Sequence, residues 1–237
     1  MAEGLPCCIR EARQLFAALK LLSDADRKVL WRCSDQLFMC NTARLLKTDG
    51  SLTKHLTPAL IAYEGIQYQY LSPKTLDRDA LRYLEAHLRI LSGLYGVLRP
   101  MDGVVPYRLE MQAKLRINDK ADLYAFWGSR VYDALRSELG EGEGLILINL
   151  ASQEYAKAVC PYVRAEDRLI TCVFCEEKDG KRRQKATLAK MARGEMVRFL
   201  AERGAETPEA LCEFDRLGFR FCPESSTGET YMFVKTA

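Results

Sequence analysis

The stretch LITCVFC, residues 169–175, is a continuous, mainly apolar run with the length and composition of a buried β-strand. LILINL, residues 145–150, precedes it and predicts a second strand that is covered on both faces. Downstream, Asp179 and Gly180 predict a hairpin turn, and RRQKATL at 182–188 predicts an antiparallel partner strand. GFRFC and ETYMFVK near the end of the chain predict two further strands. Together these segments predict a sheet in the second half of the chain.

Helices are predicted on both sides of these strands. Apolar residues at steps of three and four predict helices over 9–22, 24–40, 77–91, 121–139 and 189–202. Because strands and helices do not alternate regularly, we expect a mixed α/β (α+β) fold rather than a doubly wound sheet. The expected architecture is a single compact domain with a central mixed sheet and flanking helices.

Composition narrows the functional classes. The chain has 237 residues and a net charge of +3, so any strongly basic surface has to be local. No apolar run reaches the roughly 18 residues of a membrane helix, and the start lacks a signal peptide, so we expect a cytoplasmic protein without a membrane partner. Cys172 and Cys175 form a CxxC inside a predicted strand, where residues three apart face opposite ways and cannot share a metal. With two histidines and no nucleotide-binding or nucleophile motif, the sequence predicts neither a metal nor a cofactor and leaves catalytic residues unknown.

The segment ILSGLYGVLRP, residues 90–100, has two readings. Gly93 and Gly96 permit backbone angles closed to other residues, and their uncovered amides with the nearby Arg99 could hold a phosphate. Alternatively, the glycines and Pro100 are an ordinary helix stop. The positions of the glycines and the proline alone do not strongly favour either interpretation.

Two further segments carry polar side chains of functional types. In PYRLEM, residues 106–111, an extended backbone would place Arg108 and Glu110 on one face and Tyr107 on the other. Arg108 and Glu110 form either a surface ion pair or a mutually oriented pair in a pocket. Asn149 lies at the carboxyl end of the predicted strand LILINL and Glu154 follows it, at the position where α/β folds favour binding.

The strongest charge signal lies at residues 178–198, where eight basic residues against two acidic ones give a net charge of +6. Charge this local is typical of a phosphate-binding surface, although a solvated hairpin tip explains part of it.

Five motifs in order, HLRILSGLYGVLRPMD, PYRLEM, LYAFWG, INLASQEY and AKMARGEMVRFL, closely resemble the YaaA family of bacterial peroxide-stress proteins. The resemblance implies a monomeric cytosolic protein that binds duplex or structured DNA and limits damage from peroxide and free iron. It implies one domain over residues 1–237, with a positively charged cleft and a helix-hairpin-helix-like element. That element would comprise the helix through Leu91, the hairpin at 92–96 and the turn to Arg99. Family members open with a strand ending in Ser-Pro-Ala-Lys-Thr, so the resemblance also implies that this chain is N-terminally shortened.

If DNA binds here, its backbone phosphates would be held without strong sequence specificity and with a steep salt dependence. The residues that we expect to contact nucleic acid are Gly93, Tyr95, Gly96, Arg99, Tyr107, Arg108, Arg182, Arg183, Lys185, Lys190, Arg193 and Arg198.

Two other functions stay open. An enzyme acting on a nucleobase or nucleoside could use Glu110 or Glu154 as a general base and Asn149 to orient a base edge. Direct iron handling through acids and cysteines is a third hypothesis, although the sequence offers no ligand cluster.

Overall fold

The structure is a computed structural model that describes residues 2–138 and 144–236. Its α-helices are α1 (Ile9–Leu21), α2 (Asp24–Trp31), α3 (Asp35–Lys47), α4 (Ala59–Ala62), α5 (Ile66–Leu71), α6 (Arg78–His87), α7 (Leu123–Trp127), α8 (Arg130–Arg136), α9 (Gln153–Ala156) and α10 (Ala186–Arg203). Its strands are β1 (Thr57–Pro58), β2 (Ile90–Ser92), β3 (Gly96–Leu98), β4 (Gly103–Val104), β5 (Ile146–Asn149), β6 (Arg168–Lys178), β7 (Lys181–Arg183), β8 (Arg220–Phe221) and β9 (Thr230–Thr236). Short 3-10 helices cover Pro73–Thr75, Cys160–Tyr162, Pro208–Glu213, Arg216–Gly218 and Pro223–Ser225. The predicted mixed α/β class is confirmed.

The contacts within the chain divide it into two compact units. The first unit comprises Met1–Ala62, Arg89–Gly140 and Ser152–Tyr162, and the second comprises Tyr63–Leu88, Glu141–Ala151 and Val163–Ala237. The assignment of residues 1–237 to one family domain stays a prediction. Within the described part of the chain, no helix is long and apolar enough to cross a membrane.

Two predicted helices of the first unit are each divided in the structure. The prediction of one helix over 24–40 is wrong, because Arg32 takes a left-handed conformation with φ 42° and ends α2. Ser34 then accepts a hydrogen bond from the Leu37 N–H at 3.5 Å and caps α3. The helix predicted over 121–139 is likewise divided, because Gly128 has φ 51° and separates α7 from α8. Residue 139 lies outside the described residues.

A β-hairpin replaces the predicted helix-hairpin-helix-like element. Asp77 caps α6, accepting from the Ala80 N–H at 2.8 Å, but the helix ends at His87 rather than continuing to residue 91 as predicted. Strands β2 and β3 then pair antiparallel in the register Ile90↔Leu98, Leu91↔Val97 and Ser92↔Gly96. Since strands flank the turn on both sides, no helix pair forms around it.

Tight packing explains the two glycines of this hairpin. A Cβ on Gly93 would lie 2.3 Å from the backbone carbonyl oxygen of Leu109. Gly96 has φ +71°, and a Cβ there would lie 2.8 Å from the Trp127 ring. The Trp127 indole N–H donates to the Gly93 carbonyl at 3.1 Å. The hairpin, the segment after it and α7 are therefore locked together within the first unit.

The second unit is built on a five-stranded sheet with β6 at its centre. Strands β5 and β9 pair parallel to β6, and β8 pairs antiparallel to β9, giving the order β5-β6-β9-β8. β7 pairs antiparallel with the last residues of β6. The predicted strands at 169–175 and at the end of the chain are confirmed. Cys172 is buried in the core of this unit, as an ordinary strand residue.

The first strand of this sheet differs from its prediction. LILINL forms β5 as expected, yet Ile146 is 50% exposed. Its only strand partner among the residues that the structure describes is β6, so β5 lies at an edge of the sheet. None of its four residues is fully buried, so the strand is not covered on both faces. The apolar composition alone does not distinguish a central strand from an edge strand.

Helix α10 covers the sheet of the second unit. Ala189, Ala192 and Met196 pack with the β6 side chains Ile170 and Phe174 in one buried cluster. Around them lie Phe199, Leu211, Phe214, Phe219 and Phe233. This cluster is the core that fixes the start of α10 directly after β7.

Candidate nucleic-acid interface

The basic segment 178–198 begins in the β6–β7 hairpin. Asp179 and Gly180 have φ 52° and φ 69°, the positive angles of a two-residue hairpin turn. The register pairs Glu176 with Arg183, Glu177 with Arg182 and Lys178 with Lys181. The predicted turn is confirmed. The antiparallel partner predicted over 182–188 is confirmed only at Arg182 and Arg183, and the rest of that prediction is wrong because α10 begins at Ala186.

Acidic residues of β6 neutralise two of the predicted cations. The Arg182 Nε donates to Glu177 at 2.7 Å, which raises the pKa of Arg182, and Lys185 is paired with Glu176. The pKa of Glu176 is lowered chiefly by that hydrogen bond from Lys185. These two pairs stabilise the base of the hairpin.

The tip of the hairpin is different. Lys178 and Lys181 are exposed and directly opposite each other, and Arg183 is exposed two residues further along β7. Within the described ranges, none of these three cations forms an ion pair with an acidic side chain. We define Lys178, Lys181 and Arg183 as the hairpin cations. Lys178 and Lys181 are not among the predicted contact residues, although the Asp-Gly turn between them implies that they face each other.

The three predicted cations of α10 have different surroundings. Lys190 is exposed one turn after the helix begins. Arg193 is largely buried, and burial lowers the pKa of its guanidinium; its Nε lacks a hydrogen-bond partner among the described residues. Arg198 is paired with Glu202 at 2.7 Å and donates to Thr75 Oγ1 at 2.7 Å. Only Lys190 is presented to solvent as a contact with DNA requires.

The arginines predicted in the first unit are bound to neighbouring groups. Arg99 Nε lies 3.2 Å from Glu138 Oε1. Arg108 Nη2 lies 2.6 Å from Glu110 Oε1, and its Nε donates to the Trp31 carbonyl at 3.3 Å. The predicted placement of Arg108 and Glu110 on one face is confirmed. Both arginines support the local structure of this unit.

The expectation of uncovered amides in SGLYG is wrong, because residues 92–98 are all buried. The Tyr95 N–H donates to Ser92 Oγ at 2.9 Å, and the Tyr95 hydroxyl accepts from the Val105 N–H at 3.2 Å. The Tyr107 hydroxyl lies 2.6 Å from the same Ser92 oxygen. Gly93, Tyr95, Gly96 and Tyr107 thus have packing and hydrogen-bonding roles.

The polar residues of the alternative enzyme site have structural partners too. Glu154 Oε1 accepts from the Gln112 N–H at 3.2 Å, two residues after Glu110. In the second unit, Asn149 donates to Thr171 Oγ1 at 3.3 Å and accepts from the Ala151 N–H at 3.1 Å. The described residues contain no group of three or more His, Cys, Asp or Glu placed to hold a metal ion. No observation therefore favours the enzyme hypothesis over local structure.

Comparison with known proteins assigns a family. A family model described as peroxide stress protein YaaA matches residues 2–225. A UPF0246 protein of Lachnoclostridium phytofermentans is 47% identical over 238 residues, which cover 98% of this chain and 91% of the relative. UPF0246 proteins of Pediococcus pentosaceus and Lactiplantibacillus plantarum are 45% and 47% identical, covering 99% and 97% of this chain and 90% of each relative. The similarity thus extends over both compact units.

Proposed function

The chain belongs to the YaaA family of peroxide stress proteins, and from this membership we propose that it binds DNA and thereby limits peroxide- and iron-dependent damage. It acts in the cytoplasm as a monomer and contacts backbone phosphates without strong sequence specificity. The contacts are made by the hairpin cations and by Lys190, whereas Arg182 and Lys185 are neutralised at the base of the hairpin.

The observation that carries this proposal is the pair of lysines at the hairpin tip. Lys178 and Lys181 are direct cross-strand neighbours of the same charge. Like charges placed opposite each other in a sheet destabilise it by up to about 1 kcal/mol. A phosphate between the two ammonium groups would remove this repulsion. An arrangement that is unfavourable in the free protein therefore becomes favourable in complex with a polyanion.

The shape of the hairpin supports the same proposal. A two-stranded ribbon fits a DNA groove, and exposed lysine and arginine side chains reach phosphates on either side of it. The cations are held by main-chain pairing rather than by a long loop, so binding requires little ordering of the backbone. Without a matching set of base-reading side chains, such a contact is insensitive to sequence.

The proposal is tested by measuring the affinity of the purified chain for a duplex oligonucleotide by fluorescence anisotropy at fixed salt. Replacing all three hairpin cations by alanine should weaken binding by about tenfold to hundredfold. Circular dichroism should show an unchanged fold, since these side chains are exposed.

A matched control removes three other exposed cations of the second unit, Lys74, Arg78 and Arg82. It changes the net charge by the same amount but leaves the hairpin intact. We expect this control to bind within about threefold of the unmodified chain. Equal losses in the two variants would show that net charge alone drives binding, and the hairpin would not be the site.

The protective role is tested in bacteria that lack their own family member. Expression of the unmodified chain should improve survival of a peroxide challenge and reduce DNA strand breaks. The variant without hairpin cations should give neither effect at equal protein levels. Protection by that variant would separate the stress function from DNA binding.

A further inference from the structure

Two neighbouring cysteines, Cys7 and Cys8, lie at the start of the first helix. Cys7 is exposed and Cys8 is buried, and their sulfur atoms lie 3.7 Å apart. Cys8 is the N-cap residue of α1, a helix of 13 residues, so Cys7 lies beside its positive end. Helix N-termini favour thiolates, which are the reactive form of cysteine.

A cavity of about 320 Å³ adjoins Cys7. Arg89, Arg99, Asp102 and Glu138 line it, together with the apolar residues Leu5, Val97, Leu98 and Ala134. Glu138 holds both arginines, with Nε distances of 3.0 Å to Arg89 and 3.2 Å to Arg99. The cavity therefore offers room for a small polar molecule and fixed cationic donors beside an exposed thiol.

The two thiols differ in acidity for a structural reason. The hydrogen bond between the sulfurs lowers the pKa of Cys7 to about 7, although burial, Asp102 and Glu138 act against it. The same bond, together with burial and Glu11, raises the pKa of Cys8, while Arg130 lowers it. At neutral pH, Cys7 thus carries a substantial thiolate fraction while Cys8 stays protonated as its donor.

We propose that Cys7 is a site of oxidation by hydroperoxides and that Cys8 resolves the product as a disulfide between neighbours. The Cys7 thiolate attacks one peroxide oxygen, the O–O bond breaks, and an S–O bond forms. The departing hydroxide or alkoxide takes up a proton from solvent, so the sulfur is oxidised to a sulfenic acid while the peroxide is reduced.

Resolution follows at the same place. Cys8 loses its proton and its sulfur attacks the Cys7 sulfur, so that the S–S bond forms as the S–O bond breaks. The departing hydroxide leaves as water with the Cys8 proton. Two thiols and one hydroperoxide give one disulfide, one water and one water or alcohol.

The test is peptide mapping of the reduced full-length chain after brief exposure to hydrogen peroxide. Trypsin releases residues 1–10, MAEGLPCCIR, which hold Cys7 and Cys8 and no other cysteine. This peptide should lose two hydrogen atoms as the disulfide forms. Oxidation should be at least about tenfold faster than that of the exposed Cys40 and Cys212, which serve as internal controls.

Two variants assign the roles. In Cys8→Ser, where the serine hydroxyl still donates to Cys7, the sulfenic acid should persist and be trapped at Cys7 by dimedone. In Cys7→Ser, Cys8 should react no faster than the internal controls. Should Cys7 react at the rate of Cys40 and Cys212 in the unmodified chain, or should its oxidation leave no disulfide in peptide 1–10, the proposal is wrong. The unmodified chain alone gives this decision, whether or not a variant folds.

Discussion

The β2–β3 hairpin and the β6–β7 hairpin use glycine for opposite purposes. In β2–β3, Gly93 and Gly96 are buried, and each leaves space that the Leu109 carbonyl or the Trp127 ring fills. In β6–β7, Gly180 has open space around it and serves only the positive φ of the turn. The first hairpin is a packing element, whereas the second presents charge to solvent.

This difference changes where a ligand is to be sought. Gly-x-x-Gly beside an arginine has the composition of a phosphate-binding turn, yet its amides are covered by protein. The Asp-Gly turn has no special binding signature, yet its strands hold three exposed cations at a tip. A glycine pattern therefore indicates close backbone approach, and burial decides whether protein or ligand is what approaches.

The largest predicted effect separates the two glycine roles. Gly93→Ala places a Cβ against a backbone carbonyl that cannot move alone, so we expect a loss of about 3 kcal/mol in the free energy of unfolding. Gly180→Ala meets only backbone strain and should cost about 1 kcal/mol. Urea denaturation of both variants measures the difference. Equal costs would contradict the packing role of Gly93.

A smaller effect is expected at Glu138, which joins residues on both sides of β2–β3 through Arg89 and Arg99. Glu138→Gln weakens both charged hydrogen bonds and should cost about 1 kcal/mol at neutral pH. Duplex DNA affinity should not change by more than about twofold, because the hairpin cations lie elsewhere in the chain. Urea midpoints and anisotropy measure the two quantities.

The pH dependence of this effect has a definite sign. Burial raises the pKa of Glu138, but Arg89 and Arg99 outweigh it and hold the pKa below its ordinary value. The stabilisation by Glu138 is therefore present above the unfolded-state pKa of about 4.3 and is lost as pH falls through the folded pKa. Asp102, whose pKa is raised chiefly by burial, acts in the opposite sense, but it is present in both the unmodified chain and Glu138→Gln. If the difference in the free energy of unfolding between the unmodified chain and Glu138→Gln grew as pH fell, this assignment would be contradicted.

The smallest change in stability is expected at the second hairpin, with the opposite sign. Lys178→Glu turns the like-charged cross-strand pair into an attractive one and should stabilise the chain by about 0.5 kcal/mol. The same substitution should weaken duplex binding, because it removes one phosphate contact and introduces a carboxylate that repels the phosphates. Thermal denaturation and anisotropy measure the two effects. Unchanged or lower stability would contradict the argument from like charges, and unchanged or higher affinity would show that Lys178 contacts no phosphate.

Much of the fold follows from local sequence signals. LITCVFC and ETYMFVK form paired strands and the Asp-Gly turn forms its hairpin, as predicted. Breaks at Arg32 and Gly128 were not predicted, because apolar spacing continues across both positions and does not report a single left-handed residue. The sequence also could not place β5 at an edge, since strand neighbours are set by tertiary pairing.

The position of the candidate site in the chain could be predicted from the sequence, but the residues that form it could not. The sequence identifies residues 178–198 as the basic segment. In the structure, however, Arg182 and Lys185 form ion pairs with glutamates of β6, and Arg193 is largely buried. Which cations reach solvent depends on cross-strand register and on the face that α10 buries, neither of which composition reveals. The sequence does not indicate that Cys7 and Cys8 are reactive, because their reactivity depends on the distance between their sulfur atoms and on a helix terminus.

The salt dependence of DNA binding tests the central claim most directly, because its slope counts released phosphate counterions. The logarithm of affinity against the logarithm of salt concentration should be steep for the unmodified chain. Alanine at Lys178, Lys181 and Arg183 should reduce that slope by about 2.7, close to 0.9 for each lost contact. Parallel lines for the two chains would show that the hairpin cations touch no phosphate, contradicting the account.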